Sequence, residues 1–160
     1  MFKPFFQTRN NESNTETRLM SAKEDDIPYF TFNGKTFLAK PVNVYDGDTF
    51  SIIFELTPGG ELIKYRCRCY GYDSAEMKPR LDFAGREEEI VKANAAKVRL
   101  MELLGAHPTG LVKVECLDFD KYGRILVKVW NQVSSISVND MMVAEGHGKP
   151  YFGGTKKDQI

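Results

Sequence analysis

Long apolar runs are missing from this chain of 160 residues. None approaches the roughly 18 residues needed to cross a bilayer, so no helical membrane span is expected. The stretch Met1 to Gln7 has no extended apolar core, which argues against a secretory leader and for an intracellular protein. Cysteine is scarce and odd in number: Cys67, Cys69 and Cys116 fit no disulfide framework and read as small hydrophobes in reducing surroundings. With His107 and His147 as the only histidines, the thiol and imidazole clusters that zinc requires are not expected. No charge of either sign prevails, because 22 basic residues stand against 22 acidic ones. Any attraction for nucleic acid must therefore come from a local patch.

What is present suits one soluble domain with a sizeable core, expected as a monomer: 42% of residues are hydrophobic and 28% charged, the balance of a globular chain. Residues 1–27 stand apart. Gln7 to Lys23 is dominated by Asn, Thr, Ser, Glu and Arg without periodicity, and reads as a flexible arm. Residues 28–152 carry the domain and 153–160 a short Gly- and Lys-containing tail.

Within the domain the patterning is first of period two. Tyr29 to Phe32 and Lys35 to Ala39 flank Asn33-Gly34, a two-residue hairpin signal. Val42 to Tyr45 alternates, and Phe50 to Leu56 reverses through Pro58-Gly59-Gly60 into Glu61 to Arg68. A loop over 77–85 precedes a helix expected from Arg86, whose Glu87, Glu88 and Glu89 suit a helix N-terminus. Its apolar stripe is Ile90, Val91, Val98, Met101 and Leu104, with Gly105 as the stop. Strands follow at Leu111 to Cys116 and Ile125 to Trp130, and a short helix at Asn139 to Glu145. The expectation is an α+β fold: a five-stranded Greek-key barrel of the OB type with one main inserted helix and a short C-terminal one.

Three charged stretches punctuate the strands: Asp46-Gly47-Asp48-Thr49, Arg68 to Glu76, and Asp120-Lys121-Tyr122-Gly123-Arg124. Each alone is explained by turn chemistry or a solvated strand end. Together they supply a particular kit. Asp48, Asp73 and Glu76 are oxygen donors for a hard cation, and Arg68 and Arg124 are planar forks for phosphate oxygens. That combination is what phosphodiester hydrolysis asks for. It also makes a structural demand. Arg68 and Asp73 are five residues apart, so an ideal strand would aim them at opposite faces, and the chain must bend between them at Gly71.

The three stretches, in this order and at these intervals, resemble the staphylococcal-nuclease-like thermonucleases over about residues 38–151. The resemblance implies an OB-fold barrel with Asp48, Asp73 and the carbonyl of Ser74 as Ca²⁺ ligands. It implies Glu76 as the base acting on water, and Arg68 and Arg124 as the phosphate-binding pair. By the same likeness, Lys121 and Tyr122 contact a neighbouring phosphate and Tyr151 stacks on a base. The implied reaction is cleavage of DNA or RNA to leave 3′-phosphate ends. Ser74-Ala75 stands where the family usually has Thr-Pro, a less rigid turn, and little of the family's last helix is present. The alternative is a catalytically silent OB-fold that binds nucleic acid or a protein tail.

Overall fold

The computed structural model describes residues 6–153, and the chain divides into two compact units between Thr31 and Phe32, rather than at residue 28. In the first unit, the stretch read as a flexible arm contains helix α1, Phe6–Ser21, followed by a single 3-10 turn at Glu24–Asp26. Aperiodic sequence does not forbid a helix, because helical hydrogen bonds are internal to the segment. Glu16, Leu19 and Met20 have good intrinsic propensity, and Arg18 in the last turn opposes the dipole. The expected 153–160 tail lies, apart from Gly153, outside the described residues.

The second unit is a closed barrel of five strands: β1 (Thr36–Val42), β2 (Thr49–Glu55), β3 (Leu62–Cys69), β5 (Val112–Phe119) and β6 (Ile125–Trp130), in the order β1-β2-β3-β6-β5. All neighbours are antiparallel except β3 and β6, which run parallel with Cys67 opposite Ile125. This is an α+β barrel of the OB type, as the strand periodicity predicts. A fourth strand in chain order, β4 (Gly71–Ser74), leaves the barrel and pairs instead with β7 (Gly148–Tyr151). Helices α2 (Arg86–Leu104) and α3 (Val138–Ala144) complete the unit.

Alternation fills the interior. Phe50, Ile52 and Phe54 of β2 meet Val112 and Val114 of β5, and Ile125, Val127 and Val129 of β6. Phe32 plugs one end, edge-on to Phe37, Phe54, Tyr65 and Phe119 at centroid distances of 5.4–6.1 Å, a favourable aromatic geometry. The three cysteines are buried and free. Burial pushes the thiol of Cys69 up to about 12 and that of Cys116 up to about 11, so they are packing groups rather than nucleophiles. Trp130 is half-buried, with the Lys113 ammonium 5.5 Å from its ring centroid.

Two expectations need correction. The turn at Asn33-Gly34 forms, closed by Lys35 N–H donating to Phe32 O at 2.9 Å, but Tyr29 to Phe32 is not a strand. The N–H of Gly34 instead donates to Cys116 O, and Cys116 N–H to Lys35 O, so β5 takes the edge that the hairpin partner was expected to fill. On α2 the buried face is Ala93, Ala96, Leu100, Leu103 and Leu104. Of the predicted stripe only Leu104 is buried, while Val91, Val98 and Met101 are exposed.

Candidate active site

The bend demanded between Arg68 and Asp73 is present. β3 ends at Cys69, Tyr70 turns, and Gly71 adopts a φ of 94°, a region that a side chain would strain. Asn139 of α3 holds this corner. Its Nδ2 donates to Tyr70 O at 2.8 Å and to Val127 O at 2.9 Å, while its Oδ1 accepts from Val129 N–H. A buried amide with these bonds met pins the turn to β6. Tyr72, fully buried beneath the turn, donates its hydroxyl to Gly47 O at 2.8 Å.

Those contacts bring the first two motifs face to face. Asp48 is 6% exposed, and its Oδ2 accepts from both the N–H of Ser74 (2.9 Å) and the Ser74 hydroxyl (3.1 Å). Its Oδ1 accepts from the Thr49 hydroxyl at 3.0 Å. Arg68 bridges the two motifs, with Nη2 at 2.6 Å from Asp73 Oδ1 and 3.5 Å from Asp48 Oδ2. Gly47 fits between them because a Cβ there would lie 2.6 Å from Ala96 Cβ and 2.8 Å from Ser74 Cβ.

The third motif is a self-contained clamp. Asp120 Oδ1 accepts from the backbone N–H groups of Tyr122 and Arg124, and its Oδ2 from Arg124 Nε at 2.6 Å. Arg124 Nη1 reaches across to donate to the Thr49 hydroxyl at 3.2 Å, and its guanidinium carbon lies 5.4 Å from the Tyr122 ring centroid. Burial pushes the Asp120 carboxyl up, but the hydrogen bonds from Arg124 and Tyr122 outweigh it and hold the group below the usual range. A depressed carboxyl contributes stability above the ordinary carboxylate pKa, and that contribution is lost as pH falls through the lowered native value. Asp120→Asn is therefore expected to melt below the wild type at pH 7. The gap should narrow on acidification below about pH 4, as thermal melts across that range would show. A gap independent of pH would mean that the charge of Asp120 contributes nothing.

All nine residues singled out from the sequence line one cleft of about 620 Å³: Asp48, Arg68, Asp73, Ser74, Glu76, Lys121, Tyr122, Arg124 and Tyr151. Tyr151 reaches it from β7, with its ring centroid 5.7 Å from the Arg68 guanidinium carbon. Tyr122 stands out into solvent at the rim, 5.1 Å from Lys121 Nζ. Two further acidic residues escaped the sequence reading. Asp46 lines the cleft and accepts from Asp48 N–H at 3.1 Å. The Asp-Gly-Asp spacing was the available signal. Glu89, read only as a helix-start carboxylate, accepts from Glu76 N–H at 2.9 Å, and so fastens the loop that carries Glu76. No sequence pattern marks that contact.

Comparison with protein-family models found no match. No curated protein matched either. The chemistry of the cleft therefore rests on its own geometry.

Whether these residues suit a hard cation can be judged from that geometry. The donors are oxygens only, and burial followed by repulsion from Asp48 pushes the Asp46 carboxyl up, a crowding that a cation would relieve. In the arrangement described, the Arg68 guanidinium supplies the counter-charge to Asp48 and Asp73. Among the described residues no three acidic, thiol or imidazole side chains are gathered into a ready-made cage. Oxygen donors are of the kind a hard cation takes, but the carboxylates would have to close around one for it to be held.

Proposed function

We propose that the protein is a calcium-dependent nuclease that hydrolyses phosphodiester bonds of DNA or RNA, as its resemblance to the thermonucleases suggests. The observation that carries this reading is the convergence in one cleft of an aspartate wall with two separately anchored guanidinium groups, Arg68 and Arg124. Asp48, Asp73 and the carbonyl of Ser74 would hold the ion, with Asp46 beside them. The chemistry such an ion would supply is charge neutralisation and polarisation of the attacking water. Glu76 accepts the proton of the attacking water as its oxygen bonds to phosphorus. The bond to the 5′ oxygen breaks, that oxygen takes a proton from solvent, and the phosphate stays on the 3′ side. Arg68 and Arg124 bind the equatorial oxygens, where charge grows as phosphorus becomes five-coordinate. Lys121 and Tyr122 contact a neighbouring phosphate and Tyr151 a base.

The test is plasmid nicking with Ca²⁺ and with a chelator, using Glu76→Gln as the control. Nicking by the wild type should require the ion, and the Gln variant should lose on the order of 10²-fold or more in rate. Equal, metal-independent nicking by both proteins would sink the enzyme reading. One observation favours the second reading, a silent OB-fold binding module: Arg68 already has carboxylate partners. Oligonucleotide binding without any Ca²⁺-dependent cleavage would establish it.

A further inference from the structure

The outer face of β3 carries more positive charge than the cleft uses. Along this strand Ile63, Tyr65, Cys67 and Cys69 turn inward, and Lys64, Arg66 and Arg68 alternate with them. Across the pairing to β2, Lys64 faces Ile53, Arg66 faces Ser51 and Arg68 faces Thr49, so no acid stands opposite any of the three. Among the described residues neither Lys64 nor Arg66 makes an ion pair, whereas Arg68 makes two. Exposed and meeting no carboxylate among the described residues, Arg66 is not held by an ion pair of the fold.

Its guanidinium is nevertheless placed. The Arg66 carbon lies 5.0 Å from the ring centroid of Tyr45. Tyr45 in turn is fixed by its N–H donating to Thr49 O at 2.9 Å, which closes the same loop that holds Asp46 and Asp48. Tyr45 as a whole is 44% exposed. Cys67 pairs with Ile125, the first residue of the neighbouring strand, so Arg66 and Arg124 each stand one residue before this pair. Arg66 thus lies two strand residues from Arg68, about 7 Å along the chain, a step comparable with that between successive phosphates of an extended polynucleotide.

We propose that Arg66 and Tyr45 form a nucleotide-binding position next to the cleft: Arg66 takes the phosphate adjacent to the one cleaved, and Tyr45 stacks on an unpaired base. The proposal rests on the nuclease reading, since it assigns the direction in which the substrate strand leaves that site. It names a substrate class as well. A base can lie on Tyr45 only when it is free of a duplex partner, so the strand bound there is single-stranded and several nucleotides long.

Binding of a fluorescent single-stranded DNA octamer, measured by anisotropy over a range of salt concentrations in chelator, tests this. Arg66→Ala should weaken binding roughly tenfold and reduce the slope of log K against log salt by about 0.7, the loss of one phosphate contact. Tyr45→Ala should weaken binding to a similar extent, roughly tenfold, and leave the slope where it was. A merely structural role would not separate the two variants in this way. Thermal melts confirm that each is folded, and Arg66→Gln serves as a second variant that keeps the stem. Wild-type affinity and slope in the Arg66 variants would overturn the proposal while leaving the nuclease reading intact. Failure of the wild-type protein either to bind or to cleave the octamer would overturn both.

Discussion

If the protein cleaves phosphodiesters as proposed, lysine in place of Arg124 is expected to be almost as damaging as alanine, with cleavage slowed on the order of 10²–10³-fold by either change. The reason is how the side chain is held. Arg124 donates through Nε to Asp120 at 2.6 Å and through Nη1 to Thr49 at 3.2 Å, and it lies against Tyr122. An ammonium is a single point charge on a flexible stem. It can satisfy Asp120 or reach the cleft, but it cannot occupy two fixed directions and present a planar edge to phosphate at once. Single-turnover rates on single-stranded DNA at saturating Ca²⁺ separate chemistry from binding. A lysine variant that retained most of the wild-type rate would show that only charge, and not the fork, is used.

A methyl group at Gly47 should disable the protein in a different way. Its Cβ would lie 2.6 Å from Ala96 Cβ and 2.8 Å from Ser74 Cβ, and neither of those atoms can swing aside as a flexible chain end would. Backbone must move instead, at a cost of about 1–3 kcal/mol, so Gly47→Ala should melt several degrees lower. Activity should fall by more than the stability loss explains, because displacing Ser74 breaks the two bonds it donates to Asp48. Adding Ala96→Gly removes one of the two clashes and should restore part of the melting temperature through a coupling of the two sites. A Gly47→Ala protein with wild-type melting and rate would show that the loop is looser than its geometry indicates.

The clash at Gly47 also accounts for one position of the α2 face that was misread from sequence. The expected stripe took Ile90, Val91, Val98 and Met101, yet the helix buries Ala93 and Ala96 together with Leu100, Leu103 and Leu104. At Ala96 the close approach of the helix to the Gly47 loop leaves space for a methyl group only, and a hydrophobicity pattern carries no information about that distance. Strands β2, β3, β5 and β6 were legible because alternation over six to eight residues faces a common core. Strands β4 and β7, four residues each and containing glycine, are too short for any period. Their pairing is decided by tertiary contacts such as Tyr72 with Gly47. The acidic and basic residues that line the cleft were legible as motifs, and the bend at Gly71 followed from strand parity. The second carboxylate at Asp46 was signalled by the Asp-Gly-Asp spacing, whereas the anchoring by Glu89 is a tertiary contact that no sequence pattern marks.

The small β4–β7 sheet has a further consequence, for the order in which the chain is made. All five barrel strands have been synthesised once residue 130 has left the ribosome. Asp48, Arg68, Asp73, Glu76 and Arg124 are all present by then. The edge of β4 acquires its partner only when Gly148–Tyr151 emerges, and Tyr151 arrives with it. A nascent chain halted between those points would carry every charged group of the cleft on a wall with an unpaired edge. The barrel can therefore close well before the cleft is finished, and the later-made β7 completes it.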